Sequence, residues 1–404
     1  MSAVDPQSRV LSGMRPTGQC HIGHYHGVLK NWLALQHEYD CFFFVADWHA
    51  MATHYEDTQA LETYTYNLVT DWLAVGINPG AATLFVQSRV PEHAELQLLL
   101  SMITPLSWLE RVPGYKDQQE KLREKDLSTI GFLGYPLLQT ADILAYRAGH
   151  VSIGADQESH VEVTREVARR FNHLYGREPG FEENAEMAIR KMGKKPGNLY
   201  KKLRKDYLEK GNENALETAR ALLKEQSNMT LGDQERLFGY LEGTGKVILP
   251  EPQAILTPKS RFPGLDGQKM SKSSNNTISL REDPDEITTK LRKMPTDSAR
   301  IRRNDPGEPD KCPVWPLHQQ YSDEARQQWV RQGCRSASIG CLDCKQPLID
   351  AVQAELEPIR IEAIELEKNP DVVKSIIAEG SEAARDEAQD TLRVVREAIG
   401  LDYR

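Results

Sequence analysis

No stretch of this 404-residue sequence is apolar over the roughly 20 residues that a membrane-spanning helix needs. The opening residues, MSAVDPQSR, lack the basic-then-apolar pattern of a secretory leader, so the expectation is a cytoplasmic protein without membrane contact. Basic charge is not in excess either. The formal net charge of −9 excludes a chain whose whole surface coats nucleic acid, but not a local basic groove. There is no internal repeat and no low-complexity tract. Cysteine is scarce, six residues in all, and four of them fall in one short span. In a reducing compartment such clustering points to metal or redox ligands before disulfides.

What is present reads as an ordinary globular chain, 39% hydrophobic and 27% charged, long enough for two or three domains. RVLSGM (9–14), the near-continuous apolar run CFFFVADWHAM (41–51) and ATLFVQS (82–88) read as strands. Helical periods separate them, at Val28, Leu29, Trp32, Leu33 and Leu35 and again over 57–76. Strand, helix, strand, helix, strand predicts an α/β fold, a Rossmann-like doubly wound parallel sheet. Residues 1–284 are expected to form this catalytic domain, with a polar helical insertion at about 183–246. Strand signal fades after 285, so 285–404 is expected to be a separate α-helical domain. The apolar helical segment 91–115 suits either core or a subunit interface. Two basic runs, 190–205 and 290–303, suit either a solvated face or RNA contact.

Two motifs carry chemistry. GQCHIGHYHG (18–27) follows the first strand and opens a helix. A helix start offers unpaired N–H groups and partial positive charge, and Gly23 lets a ligand approach the backbone. His21 and His24 are then candidate phosphate donors, although capping or packing histidines explain the same residues. Zinc would need further ligands, and His26 and Cys20 are poorly spaced for that. The second motif, DGQKMSKSSNN (266–276), sets Lys269 and Lys272 three apart among Ser271, Ser273 and Met270 in a glycine- and serine-rich loop. Such a loop suits a polyphosphate on which charge builds.

HIGH followed by KMSKS resembles the signature pair of class I aminoacyl-tRNA synthetases. Over nearly the whole length, the insertion apart, the chain is similar to the tryptophanyl-tRNA synthetases. The resemblance implies their Rossmann-like (HUP-type) core and an anticodon-binding helical domain. GYPLLQTADILAY matches the helix whose aspartate, here Asp142, accepts the indole N–H, with Tyr135 two turns back as a pocket wall. SIGADQESHVEVTR matches the region that meets ribose, adenine and the amino acid, and implies roles for Gly154, Asp156 and Gln157, with Val151 and Ile153 as apolar walls. His49 matches a pocket position, and Arg15 and Thr17 the nucleotide turn. Phe262 falls where the adenine site is lined. Many bacterial members have methionine at Gln139, a substrate position, and glutamine at Arg15. The partners implied are ATP with Mg2+, L-tryptophan, tRNA(Trp) and a second copy of the chain.

Cys312, Cys334, Cys341 and Cys344 form C-x21-C-x6-C-x2-C, four thiolates that suit zinc or a 4Fe–4S cluster. Some bacterial members carry a 4Fe–4S cluster on a spacing one residue longer in the first gap, so the resemblance favours the cluster, as a clasp near the anticodon. The implied reaction is two-step. The tryptophan carboxylate attacks the α-phosphorus of ATP, and tRNA then takes the tryptophanyl group. His21, His24, Lys269 and Lys272 are the expected catalytic residues. The alternatives are a tyrosyl-tRNA synthetase, an HxGH nucleotidylyltransferase, and a retired paralogue that binds RNA. The insertion, and its basic run in particular, is expected to touch tRNA or the partner subunit.

Overall fold

The structure is a computed structural model, and it describes residues 8–112, 129–177, 180–257 and 262–403, without the side chains of His54, Asp156 and Leu231. Among the described residues five parallel strands form one sheet: β1 (Arg9–Met14), β2 (Asp40–Val45), β3 (Ala82–Val86), β4 (His150–Ile153) and β5 (Gln253–Leu256). Their order is β3-β2-β1-β4-β5. The chain builds outward from β1 to β3, then returns to the other side of β1 for β4. That reversal opens a crevice at the carboxyl ends of β1 and β4, where open α/β sheets bind ligands.

The apolar run at 41–45 shows why the sheet is buried on both faces. Cys41, Phe43 and Val45 point into one core, and Phe42 and Phe44 into the other. Trp32 stacks on Phe43 with ring centroids 4.2 Å apart, and Trp72 meets Trp32 edge-on at 5.0 Å. On the opposite face Phe42 stacks on Tyr146 and Phe44 on Phe85. A parallel sheet covered on both faces is the arrangement that a continuous hydrophobic strand requires.

The C-terminal helices do not keep a core to themselves. Leu348, Val352, Leu356 and Ile377 join the first core, and Ala384, Ala388 and Leu392 the second. Helix Pro370–Ile399 lies against the edge strand β3. A Cβ at Gly380 would fall 2.0 Å from the Leu84 carbonyl oxygen, so only glycine permits this approach. The expected boundary near 285 therefore separates two kinds of secondary structure and not two cores.

The insertion does have its own core. Helices Phe181–Lys191, Lys194–Lys210, Glu213–Lys224 and Leu231–Leu241 enclose Tyr200, Leu216, Leu223 and Leu237. Asn172 closes its root: the side-chain oxygen accepts from the N–H groups of Ile248 and Leu249, and Nδ2 donates to the Leu249 carbonyl. No described helix is long and apolar enough to cross a membrane.

Candidate active site

A cavity of about 240 Å³ sits at the reversal point. Leu11, Gly13 and Arg15 of the β1 end, His49, Tyr135, Gln139 and Asp142, and Val151, Ile153, Gly154 and Gln157 of the β4 end all line it. Nine residues expected from the sequence thus meet around one space. Asp156 lies on the same turn, but its side chain is outside the described residues.

Asp142 is the most buried polar residue lining the cavity, with no solvent exposure. Helix Tyr135–Ala145 carries it, and it faces His49, Gln87 and His93, of which the first two are hydrogen-bonded to it. His49 Nε2 lies 2.7 Å from Oδ2, Gln87 Nε2 donates to Oδ1 at 2.8 Å, and His93 Nδ1 lies 2.7 Å from Oδ1. Burial alone pushes the carboxyl up, but His49 and then His93 outweigh it and hold it at about 2. His93 is itself braced by Tyr146, whose hydroxyl lies 2.6 Å from Nε2. Gln87 and His93 escaped the sequence reading. Gln87 stands just past the C-terminal end of β3, where a polar residue after an apolar run is a usable signal, whereas His93 gives none. Tyr135 forms an aromatic wall, and its hydroxyl pairs with His160 at 2.8 Å.

The other end of the site is built from the two motifs. Gly18, at φ +107°, turns the chain after β1 into the left-handed region that favours glycine. The helix then opens at Ile22–His24 and continues through a π-helical turn, Tyr25–Leu29, a feature common at functional sites. His21 and His24 stack face to face with centroids 3.7 Å apart. Gly23 makes this packing possible, since a Cβ there would lie 2.9 Å from His21 Nδ1. Burial, reinforced by Lys272, lowers His21 to about 4, and burial with His21, Lys272 and Lys269 drives His24 well below its ordinary value. Both imidazoles are neutral near pH 7 and offer N–H donors rather than charge.

The charge comes from the second motif. Lys272 Nζ donates to the Gly18 carbonyl at 2.8 Å and lies 3.4 Å from Thr17 Oγ1. Lys269 is exposed beside it in the chain. Asn276 shapes the loop: it donates to Asp266 and to the Lys269 carbonyl, and accepts from the Ser271 N–H. Ser271 and Ser273 face each other across 3.3 Å. The motifs, about 250 residues apart, are joined by backbone bonds from Ile22 N–H to Ile278 and from Leu280 N–H to Cys20, both 3.0 Å. Met270 and Phe262 are buried beneath the loop. Phe262 does not line the cavity; it stacks on His26 at 4.7 Å. Its ring packs between His26 and Tyr321.

The four clustered cysteines are free thiols. Among the described residues no group of three or more His, Cys, Asp or Glu is arranged to hold a metal ion, so neither the cysteines nor the histidines of the first motif form a metal centre in this structure. The thiols nevertheless share one locality. Burial, with Cys312, Cys334 and Cys341 adding, pushes Cys344 up to about 12. Gly307 leaves room over Cys334, where a Cβ would lie 2.7 Å from the sulfur, and Arg300 Nη1 stands 3.9 Å from it.

Comparison with known proteins agrees with this geometry. The family model described as tRNA synthetases class I (W and Y) matches residues 4–204 and 212–357. A tryptophan–tRNA ligase of Ralstonia nicotianae is 63% identical, covering 98% of this chain and 99% of that protein. One from Thermotoga maritima is 42% identical, covering 98% and 100%. Among solved structures, a tryptophanyl-tRNA synthetase of Campylobacter jejuni, complexed with ADP and tryptophan, superposes with a TM-score of 0.72 at 26% identity over 97% of this chain and all of that one.

Proposed function

Because the chain belongs to the class I tRNA synthetases for tryptophan and tyrosine, we propose a division of labour within its cleft for the ligation of L-tryptophan to tRNA(Trp). The enzyme is a tryptophan–tRNA ligase that consumes ATP, taken as its magnesium complex, and passes through tryptophanyl-adenylate. The tyrosyl and nucleotidylyltransferase alternatives fall away before relatives of that activity that match over their whole length.

The observation that carries the assignment is the partially paired Asp142. A carboxylate accepts about four hydrogen bonds; His49 and Gln87 supply two to this one, and His93 Nδ1 stands against Oδ1 without bonding to it. Room is left on Oδ2, beside the cavity, for an indole N–H. Tyr135, Val151 and Ile153 enclose the ring, and His49, Gln139 and Gln157 stand at its rim. A ring without that N–H leaves the buried acceptor incompletely paired, a mismatch that discriminates by ~10⁴–10⁵ without editing.

The nucleophile is the substrate's own carboxylate, so the protein contributes positioning and charge. Arg15, Thr17, Gly154 and Asp156 frame the nucleotide. Gly23 admits the phosphates to the helix start, where His21 and His24 donate neutral N–H bonds. Lys269 and Lys272, with Met270 anchoring the loop and Ser271 and Ser273 supplying hydroxyls, follow the charge onto leaving pyrophosphate. For this Lys272 exchanges its bond to the Gly18 carbonyl for a phosphate oxygen.

The residues 285–404 carry anticodon recognition in this proposal. Cys312, Cys334, Cys341 and Cys344 would hold a 4Fe–4S cluster there, with zinc as the alternative; the four-thiol donor set and the nearby Arg300 suit either. When bound, the group supplies a structural clasp and takes no part in the ligation. A second copy of the chain covers Leu98, Met102, Leu106 and Ile130, all more than half exposed. The exposed Lys194, Lys195, Lys202 and Lys205 of the insertion face RNA phosphates. The reaction is placed in the cytoplasm. The deciding experiment is amino-acid-dependent pyrophosphate exchange on anaerobically purified protein, with iron and sulfide counted on the same sample. Tryptophan-dependent exchange is expected; exchange driven by tyrosine would overturn the proposal.

A further inference from the structure

Helix Leu61–Ala74 contains an aspartate in an apolar setting. Asp71 has no solvent exposure and neighbours the core residues Trp72 and Val69. It does not line the ligand cavity. A buried carboxylate is costly unless each oxygen is satisfied, and its partners are specific. Oδ2 accepts the Cys20 N–H at 2.6 Å, and Oδ1 accepts Arg281 Nε at 2.6 Å. Cys20 immediately precedes His21 of the first motif. Arg281 follows the arm that leaves the second motif, whose Ile278 and Leu280 pair with Ile22 and Cys20. One carboxylate thus holds both halves of the phosphate grip, one oxygen for each. The guanidinium is held in turn: Nη2 donates to the Asn67 carbonyl at 2.5 Å, and Nη1 to Glu367 at 2.5 Å and Asn67 Oδ1 at 3.3 Å.

We propose that Asp71 and Arg281 are positioning residues for adenylate formation, which set the register of the first helical turn against the lysine loop. A plain core ion pair would have no reason to end on the residue before His21 and on the arm of the second motif together. The planar guanidinium fork, fixed by Asp71 on one side and Asn67 on the other, leaves that arm one position relative to helix Leu61–Ala74. Displacing a reacting group by about 1 Å costs on the order of 100-fold in rate. The expected signature is therefore kinetic. Neither residue reaches the indole end, so tryptophan recognition is left alone.

The inference rests on the ligase reading, and its test keeps the two apart. Tryptophan-dependent pyrophosphate exchange is measured for the wild type, for Asp71→Asn, Arg281→Gln and Arg281→Lys, for Lys272→Ala, and for each of the three variants of the pair combined with Lys272→Ala. Three variants of the pair are used so that poor folding of one, read from its thermal midpoint, leaves the others to decide. The proposal expects kcat to fall 10- to 100-fold with the tryptophan KM within about threefold, and Arg281→Lys to retain more activity than Arg281→Gln. It also expects the loss to shrink to a few-fold or less in the Lys272→Ala background, since a register set for an absent ammonium has little left to serve. Equal fold-losses with and without Lys272, or a rise in tryptophan KM at unchanged kcat, overturn it. No tryptophan-dependent exchange in the wild type overturns the ligase reading instead.

Discussion

The two ends of the cleft are built on opposite plans. At the proposed indole end Asp142 is fully buried, is bonded to His49 and Gln87 and is held low by His49 and His93. At the phosphate end the histidines are neutral, Lys269 is exposed and Lys272 is parked on a backbone carbonyl. The first end is finished before the ligand arrives, and the second is completed by it. Selection gains from rigidity, because a fixed acceptor left incompletely paired rejects the wrong ring. Charge that develops during reaction is better met by cations that transfer from weak resting bonds than by groups already committed.

The comparison can be broken most severely at Asp142. Asp142→Asn offers an amide N–H where an acceptor is needed, and the ratio of kcat/KM for tryptophan over tyrosine is expected to fall by up to ~10⁴. Exchange kinetics with both amino acids check it. Lys272→Ala comes next. Exchange kcat should drop ~10²–10³, by analogy with a lost oxyanion donor, while tryptophan KM moves little. A comparable loss of tryptophan binding would mean that the ends do not work separately.

Acid sharpens the contrast. His21 titrates at about 4 in the fold, below the ordinary histidine value, so the unfolded chain takes up the proton first. Its contribution to stability is full above pH 6.5 and is lost as pH falls toward 4. Asp142, held at about 2, contributes above the ordinary carboxylate range and loses that only as pH falls from about 4 toward 2. Between pH 6.5 and 4.5 the phosphate end weakens while the indole end keeps its charge. Urea unfolding at pH 7 and 4.5 should show His21→Asn losing about 2–3 kcal/mol less than wild type over that interval. The smallest effect is expected at Gln87. Gln87→Leu removes one donor from Asp142 and should cost about 1–2 kcal/mol of stability, read from denaturant midpoints.

The same contrast explains what could be read from the chain alone. The meeting of the two motifs could be anticipated because the parts of each are contiguous: HIGH and KMSKS each gather their polar groups within a few residues on a turn or loop. Asp142 and Tyr135 were singled out through the resemblance of GYPLLQTADILAY to a family helix, and the structure places both on one helix beside the cavity. Gln87, His93 and Asp71 were not, because each acquires its role from a partner about 50 residues or more distant, and only folding brings the pair together. The near-continuous apolar run at 41–51 announced a doubly covered strand. The sharing of both cores by the C-terminal helices had no such local sign: Gly380, Ala384 and Ala388 read as ordinary helix positions until the edge of β3 is seen against them. The packing of Phe262 against His26 and Tyr321 gave no local sign either, since it joins three distant segments.

A crystal structure of the protein with tryptophan and a non-hydrolysable ATP analogue tests this account most directly. It should show the indole nitrogen within hydrogen-bond reach of an Asp142 still bonded to His49 and Gln87, and Lys272 moved from the Gly18 carbonyl onto a phosphate oxygen. Tryptophan seated away from Asp142, or a triphosphate bound with Lys272 still on Gly18, would contradict it.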